Sequence, residues 1–285
     1  MKSKIVTSRE YKVMLRAAKF EQADVPHEGV KAFWTWLTAA VKKVGAKTEG
    51  ALTKVDKRRQ VRFYDTEDCF LRRSGYVLRE RRKLNKGKKR QFTLKYRHPD
   101  RFIAQARRMK PTKSATGKPK FEEDIKGLFA KPYLASLYSF SSKIQVEEPL
   151  EKLRAPVGYF GNLGRRLGKY DPKASLVSVG DFAARETVLV GGFLELGSII
   201  AECALVVWHD ASPEKAAKPE VVEFSFRYEN EVGEFEGRSV ETAFRVFRSL
   251  QAQASQDEWV DKGSKTKTAF VYDKAKCNLA SDELD

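Results

Sequence analysis

Residues 60 to 97 read QVRFYDTEDCFLRRSGYVLRERRKLNKGKKRQFTLKYR, and this stretch decides the predicted fold. It contains three segments with the alternating pattern of a β-strand. Because successive side chains of a strand point to opposite faces, one face of the second segment carries Arg79, Arg81 and Lys83. The third segment has a polar and basic face and an apolar face, formed by Gln91, Thr93, Lys95 and Arg97 and by Phe92, Leu94 and Tyr96. Cations on one face of an apolar-backed sheet predict an anionic ligand.

The composition predicts a globular chain with an anionic partner. Hydrophobic residues make up 41% of the 285 positions and aromatic residues 11%, which is enough for a packed core. The formal net charge of +17 favours phosphates, nucleic acid or a membrane surface as the partner, although solubility alone would also explain it. No internal repeat or linker divides the chain. Residues 1–285 are therefore predicted to form one domain, with insertions near 100–119 and 127–180.

The cysteines predict a reducing compartment and thus a cytoplasmic location. Cys69, Cys203 and Cys277 are odd in number and far apart, which fits neither a disulfide framework nor a zinc knuckle. The residues at the start of the chain lack the apolar core of a signal peptide. The three histidines show no metal-ligand spacing.

One apolar segment needs a choice between a membrane helix and two strands. Thr187 to Trp208 is long enough to span a bilayer, but Glu195 and Glu202 interrupt it and glycines punctuate it. Its many β-branched residues favour two strands joined by a turn. The sequence therefore predicts no membrane partner.

The remaining pattern predicts a mainly β protein. Within the opening stretch, strands are expected at 60–65, 76–84 and 90–98, with a turn or short helix at 66–74 and a basic hairpin at 85–89. Further strands are expected at 10–20, 120–125, 185–190, 199–208, 221–229 and 265–272. Apolar residues at helical spacing predict helices over 26–47 and 239–253. We interpret 108–119 as a mobile basic loop and 127–180 as mixed helix and loop. Because closure removes exposed strand edges, we expect an α+β fold, an antiparallel β-barrel or tunnel of about eight strands with flanking helices.

With these strands in place, the chain resembles the CYTH, or triphosphate tunnel, superfamily. The letters Tyr-Asp-Thr at 64–66, then Leu71, Gly75 and Leu-Arg-Glu-Arg at 78–81, are similar to the family's central motif. FTLKYR at 92–97 resembles its next strand. The order of the other pieces also agrees, namely strands with Glu10, with Lys120, Glu122 and Asp124, with Arg185, and with Glu223.

The resemblance implies a tunnel that holds a triphosphate or polyphosphate and, in family members, hydrolyses it or cyclises ATP with Mg²⁺ or Mn²⁺. The catalytic positions it implies are Glu10, Lys12, Arg79, Arg81, Lys95 and Arg185. The phosphate-binding positions it implies are Arg79, Arg81, Lys95, Lys120, Arg185, Lys265 and Lys267. The metal-binding positions it implies are Glu10, Glu122, Asp124, Glu202 and Glu223. Guanidinium and ammonium groups suit phosphate oxygens, and carboxylates suit these metals.

Two departures from the family pattern affect the metal half of this site. The family's E-x-E-x-K signature reads Glu10, Lys12 and Met14 here, and its later E-x-E reads Glu223 and Ser225. Each pair of glutamates has lost a member, so we expect weakened metal binding.

Three functions remain open from the sequence. The first is metal-dependent hydrolysis of a triphosphate or polyphosphate, with an adenylate cyclase-type reaction as a variant that nothing selects. The second is a non-catalytic module that binds polyphosphate or a nucleotide. The third is general nucleic-acid binding through the basic loops at 83–90 and 107–120, for which no recognised motif is present.

Overall fold

The computed structural model describes residues 5–21, 28–84, 87–107, 109–128, 133–212, 218–253, 259–263 and 265–277. The strands of these residues are β1 Ser8–Leu15, β2 Lys47–Asp65, β3 Tyr76–Lys83, β4 Arg90–His98, β5 Lys120–Leu128, β6 Tyr133–Val146, β7 Val177–Glu195, β8 Ile200–Asp210 and β9 Pro219–Glu229. The α-helices are α1 Glu28–Lys43, α2 Phe70–Arg73, α3 Arg101–Ala106, α4 Arg154–Tyr159, α5 Leu163–Leu167, α6 Gly237–Gln253 and α7 Lys267–Lys274.

The nine strands form a closed ring in the order β1-β5-β6-β4-β3-β2-β7-β8-β9, with β9 returning to β1. β1 and β5 run parallel, and every other neighbouring pair is antiparallel. The prediction of an α+β, mainly antiparallel tunnel with flanking helices is confirmed. The ninth strand is β6, which lies in the stretch 127–180 that we interpreted as helix and loop.

The opening stretch folds as predicted. Asp65 ends β2, and its carboxylate accepts hydrogen bonds from the backbone N–H groups of Leu71 and Arg72 at 2.8 and 2.9 Å. Thr66 Oγ1 accepts one from the N–H of Phe70 at 2.9 Å. These bonds satisfy the first amides of α2. The chain can therefore turn directly from β2 into β3.

Two strands extend far beyond their predicted bounds. β2 and β7 each have 19 residues and pair with each other along most of that length. The first half of β2 is largely exposed and polar, so its sequence lacks the apolar alternation that marks a strand. The pairing is interrupted by irregularities near Gly50 and Gly191, both with positive φ. At Gly50 a Cβ would overlap the carbonyl of Gly191, so close backbone contact requires glycine here.

Two apolar clusters cover the outside of the ring. One packs α1 and α6 against the outer faces of β1, β7, β8 and β9, with Phe33, Leu37 and Phe247 fully buried. The other covers β3, β4 and β6 with the segment that contains α3, α4 and α5. Phe92 and Leu94, predicted as the apolar face of β4, are fully buried in this second cluster. With its outer faces covered, the sheet turns its polar faces to the inside.

A third apolar cluster fills one end of the ring. Inward-facing Val61, Phe63 and Trp208 pack there against Val271 and Tyr272 of α7. The Phe63 ring lies 6.2 Å from that of Trp208 and 6.3 Å from that of Tyr272, centroid to centroid. α7 therefore closes this end.

The prediction of a strand at 265–272 is wrong, because Lys267–Lys274 form the helix α7. The Thr266 side chain accepts a hydrogen bond from the N–H of Ala269 and caps the helix. Thr268, Ala269, Val271 and Tyr272 are buried, which is a helical spacing. A short amphipathic helix and a short strand look alike in eight residues.

The interpretation that the cysteine spacing fits no disulfide is also wrong. Cys69 and Cys277 form a disulfide across 208 residues, with their Cα atoms 6.2 Å apart, and Cys203 is buried and free. The disulfide ties the end of α7 to the turn before α2. The cytoplasmic location stays a prediction that has lost this support.

The loop predicted to be mobile is anchored by backbone hydrogen bonds. The N–H of Thr112 donates to Tyr159 at 2.8 Å, and that of Thr116 donates to Lys143 at 3.0 Å. The hairpin at 85–89 and the helix start at 26 lie partly outside the described residues. Thr187 to Trp208 forms two strands, as predicted. Within the part of the chain that is described, no helix is both long and apolar enough to cross a bilayer.

Candidate functional site

The inside of the ring is a cavity of about 1130 Å³ in which cations outnumber carboxylates two to one. Alternation on the strands brings most of these side chains inward, and Lys262, Lys265 and Lys267 come from α7 and the segment before it. The cations are Lys12, Lys57, Arg59, Arg79, Arg81, Lys95, Arg97, Lys120, Lys126, Lys143, Arg227, Lys262, Lys265 and Lys267. The carboxylates are Glu10, Asp56, Glu122, Asp124, Glu186, Glu202 and Glu223. We call this cavity the tunnel.

Arg79 and Arg81 are tunnel cations without an ion pair to any described residue. Both project inward from β3, and their Nε atoms are buried without a hydrogen-bond partner. Among the described residues, neither guanidinium forms an ion pair or a hydrogen bond. Burial lowers the pKa of Arg79 to about 10 and holds the pKa of Arg81 well below its usual value. Positive charge here is costly unless an anion enters.

Lys143 on β6 extends this cationic group, and sequence reasoning missed it. β6 pairs with β4 so that Lys143 lies opposite Thr93, which in turn lies opposite Arg79. Burial and the charge of Arg81 lower the pKa of Lys143. The residue was missed because β6 was not predicted. Its signal is the alternation of Ser139, Ser141 and Lys143, which face inward, with the buried Phe140.

The carboxylates on β1 and β5 are already paired with lysines. Lys12 Nζ lies 3.0 Å from the carboxylate of Glu10 and 2.7 Å from that of Asp124. Lys95 Nζ donates to the other oxygen of Asp124 at 2.7 Å, and Arg97 lies 3.7 Å from it.

These contacts shift the pKa of both partners. Burial would raise the pKa of Asp124, but Lys12, Lys95 and Arg97 outweigh it and hold the pKa well below its usual range. Burial would lower the pKa of Lys12, but Asp124 and Glu10 raise it. Both members of the pair are therefore charged at neutral pH.

α7 supplies the tunnel with one lysine. Lys267 Nζ donates to Glu223 at 2.7 Å, and the Glu223 side chain is 4% exposed. Lys265 lines the tunnel but pairs with Asp273 of α7 at 2.6 Å and is half exposed. The resemblance offered either lysine for one position, and Lys267 is the one that reaches a buried carboxylate.

The remaining predicted residues near the rim are paired more loosely. Glu202 accepts from Arg227 at 3.0 Å, and Lys120 pairs with Glu229 at 3.2 Å. Glu122 lines the tunnel, and no ion pair links it to another described residue.

Arg185 is the one predicted site residue that does not line the tunnel. It lies on β7 opposite Gln60 and His209, and alternation turns its neighbour Glu186 inward instead. Glu186 pairs with Arg59 and accepts a hydrogen bond from Trp208 Nε1 at 2.9 Å. The strand was predicted correctly, but its pattern did not show which face points inward.

The carboxylates do not fit a divalent metal in this arrangement. Among the residues described, no three His, Cys, Asp or Glu side chains are grouped as metal ligands. Glu10 and Asp124 share the ammonium of Lys12, and Glu223 holds that of Lys267. A metal ion at either place would have to displace a lysine.

Comparison with known proteins gives similarity of overall structure only. No protein-family model and no curated protein sequence matches the chain. Among solved structures, it is similar to HpAC1 from Hippeastrum, a candidate adenylyl cyclase described as having a dominant triphosphatase activity. The identity is 15%, the TM-score is 0.43, and the match covers 96% of this chain and 98% of that one. It is also similar to a candidate adenylate cyclase from Bacillus halodurans, at 13% identity and a TM-score of 0.38, covering 95% and 100%.

Proposed function

We propose that the tunnel binds a linear phosphate chain, either the triphosphate group of a nucleotide or an inorganic tripolyphosphate or polyphosphate. The observation that carries the proposal is the pair Arg79 and Arg81, whose inward guanidinium groups have no partner among the residues described. A guanidinium can bind two phosphate oxygens at once, and a phosphate bound there would compensate the buried charge.

The distribution of cations favours an elongated anion over a single phosphate. Arg79 and Arg81 are two positions apart on one strand, so their Cα atoms are separated by about 7 Å along it. Lys143 lies beside them on β6, and Lys95 lies on the strand between β3 and β6. Cations at successive levels suit a ligand with several linked charged groups.

The closed end of the tunnel favours a chain terminus over an internal segment of a polymer. Phe63, Trp208 and Tyr272 fill that end. A long nucleic acid or polyphosphate therefore could not thread through, whereas a terminal triphosphate could enter from the open side.

Calorimetric titration of the full chain tests this proposal. Tripolyphosphate should bind at least tenfold more tightly than orthophosphate, because more charge-assisted hydrogen bonds form. Cyclic trimetaphosphate, which has the same number of phosphorus atoms but no chain end, should bind weakly. Equal affinity for orthophosphate and tripolyphosphate would contradict the proposal. A preference for single-stranded nucleic acid with a steep salt dependence would support general nucleic-acid binding instead.

A second candidate function is hydrolysis of the bound phosphate chain with a divalent metal, which the sequence resemblance implies. Supporting it is the placement of Glu10, Asp124 and Glu223 in the same cavity as Arg79 and Arg81, and it requires a metal ion to displace Lys12 or Lys267 from these carboxylates. Cations fixed before reaction would stabilise charge that develops on a transferred phosphoryl group.

Phosphate release from tripolyphosphate and ATP in Mg²⁺ or Mn²⁺ tests this second candidate. Turnover should be lost in the double variant Glu10→Gln, Glu223→Gln while tripolyphosphate binding persists. If the wild type releases no more phosphate than the double variant, the tunnel binds without cleaving.

A further inference from the structure

Lys12 lies where a divalent cation would be needed to join the carboxylates of β1 and β5. Its Nζ is 3.0 Å from the Glu10 carboxylate and 2.7 Å from that of Asp124. Glu10 and Asp124 are register partners on the parallel strands β1 and β5, so both carboxylates face inward at one level. One ammonium therefore bridges two acids, as a metal ion could.

The bridging ammonium is enclosed. The Lys12 side chain is 19% exposed and that of Asp124 is 10% exposed. Asp124 receives two more cations, from Lys95 at 2.7 Å and Arg97 at 3.7 Å. A divalent ion entering here would meet three positive charges at close range. Two unit charges 4 Å apart repel by about 4 kcal/mol at a typical effective dielectric, and a divalent ion doubles this.

Lysine side chains balance the carboxylate charges on β1, β5 and β9 without a metal ion. Glu10, Asp124 and Glu223 are matched by Lys12, Lys95 and Lys267, each within 3.0 Å of a carboxylate oxygen. Arg79, Arg81 and Lys143 remain as cations without an ion-pair partner among the residues described. The phosphate charge can therefore be compensated by side chains alone.

We infer that the tunnel binds its phosphate chain without a divalent metal, and that the Lys12 ammonium, held by Glu10 and Asp124, is the cation that serves in its place. This inference rests on the proposed phosphate-chain binding. It adds that Lys12 is the cation which Glu10 and Asp124 hold toward the phosphate chain. The ligand class it implies is free linear tripolyphosphate, or a nucleoside triphosphate stripped of its metal ion.

Titration of the full chain with tripolyphosphate, in chelator and in Mg²⁺, tests the inference. Wild-type affinity should change by less than about twofold on addition of chelator. Lys12→Met should weaken binding in chelator by about tenfold, as expected for one lost charge-assisted hydrogen bond. Lys12→Arg, which keeps the charge, should retain most of it. Lys54→Met, an exposed lysine of β2 outside the tunnel, is the matched control.

Two results would overturn the inference while leaving phosphate binding intact. One is wild-type binding that disappears in chelator and returns with Mg²⁺. The other is unchanged binding in Lys12→Met, with a melting temperature that shows the variant is folded. Absence of tripolyphosphate binding under all conditions would instead remove the proposed function itself.

Mn²⁺ uptake, followed by the loss of the free-ion paramagnetic resonance signal, gives a readout that needs no phosphate. The wild type should take up no stoichiometric Mn²⁺. Lys12→Met should take up more Mn²⁺ than the wild type at the same ion concentration, because Glu10 and Asp124 then lack their shared ammonium, while Lys95 and Arg97 still contact Asp124 and keep the uptake weak. Stoichiometric uptake by the wild type, or uptake by the variant no greater than that of the wild type, would contradict the assignment of Lys12 to the cation position.

Discussion

At the scale of single residues, the proposed function assigns Arg79 and Arg81 a cost in stability that a bound anion would remove. A buried guanidinium with no partner is destabilising in the free protein, and an anion removes that penalty. Under the proposed function, the same two residues would destabilise the empty tunnel and form the main contacts of the filled one.

Arg79→Met should raise the melting temperature of the free protein, because an apolar side chain replaces a buried guanidinium that has no ion pair. Arg81→Met should raise it less, because it also removes a charge that stabilises the Glu186 carboxylate. Each should also weaken tripolyphosphate binding by about 10- to 100-fold, the cost of a lost charged hydrogen bond. Scanning calorimetry with and without tripolyphosphate measures both effects. A lowered melting temperature together with unchanged affinity would contradict this account. Arg58→Met, on the exposed part of β2, serves as the control.

Glu186 should make stability depend on pH in the acidic range. Burial would raise its pKa, but Arg81, Arg59 and Lys267 outweigh it, so the folded-state pKa lies below the ordinary 4.5. A lowered pKa contributes stability at neutral pH that is lost as pH falls through and below that ordinary value. Breaking this buried pair with Glu186→Gln should cost about 3 kcal/mol at pH 7.

The difference in unfolding free energy between the wild type and Glu186→Gln should shrink steadily from pH 5 to pH 3. Denaturant unfolding at several pH values measures it. The exposed Glu241→Gln should show a small difference that stays constant. A gap for Glu186→Gln that does not vary with pH would show that its carboxylate is not held by the tunnel cations.

Alternation predicted that Arg79 and Arg81 share one face of β3 and that Lys95 and Arg97 share one face of β4, and the structure turns all four into the tunnel. It could not have placed Arg185, since a strand covered on its outer side and lined on its inner side can accept either phase. Lys267 was named from the resemblance, but on a strand rather than a helix.

At the scale of elements, α7 is the part whose position depends on a covalent bond. The disulfide Cys69–Cys277 ties its end to the turn before α2, and Tyr272 packs on Phe63 beneath it. Because Lys267 is on the same helix, α7 both closes one end of the tunnel and supplies one of its lysines.

Reduction of this disulfide should lower the free energy of unfolding by about 5 kcal/mol, the chain-entropy value for a loop of this length. Urea unfolding with and without dithiothreitol measures the change. Cys277→Ser should match the reduced protein and should not respond to the reductant. Buried Cys203 makes no bridge, so Cys203→Ser should respond as the wild type does. An unfolding curve that the reductant leaves unchanged would contradict the role of the bridge.

The packing of α1 on β7 depends on one glycine. A Cβ at Gly192 would overlap the ring of Trp34, so Gly192→Ala should cost about 1–3 kcal/mol through overpacking. Gly158→Ala in α4 is the matched control, because no atom lies within 4 Å of a Cβ there. The control should be neutral or gain up to about 1 kcal/mol from helix propensity. Chemical denaturation compares them, and equal effects would contradict the packing argument.

Most elements could be predicted because their residues alternate or repeat at helical spacing. The exceptions have physical causes. The exposed half of β2 has no buried face to enforce a pattern. β6 carries small serines inward where a polar pattern resembles a loop. α7 has only eight residues, too few for its helical spacing to be distinguished in the sequence. Covalent pairing of distant cysteines leaves no local signal at all.

At the scale of the whole molecule, the closed ring accounts for where part of the net charge of +17 is located. The strands bury apolar residues outward under α1, α6 and the segment that contains α3 to α5, so most of their charged side chains point to one shared space. Part of the net charge of +17 therefore lies inside the protein, where screening by salt is weaker than on the surface. The ring and its cationic interior were predictable from the sequence, whereas the lysine partners of the carboxylates were not.

The most direct measurement is a crystal structure of the full chain with tripolyphosphate. We predict phosphate oxygens within hydrogen-bond distance of the guanidinium groups of Arg79 and Arg81, inside the tunnel, with the terminal phosphate toward Lys267. Tripolyphosphate bound only to the exposed basic half of β2, with both arginines free of phosphate, would contradict the account.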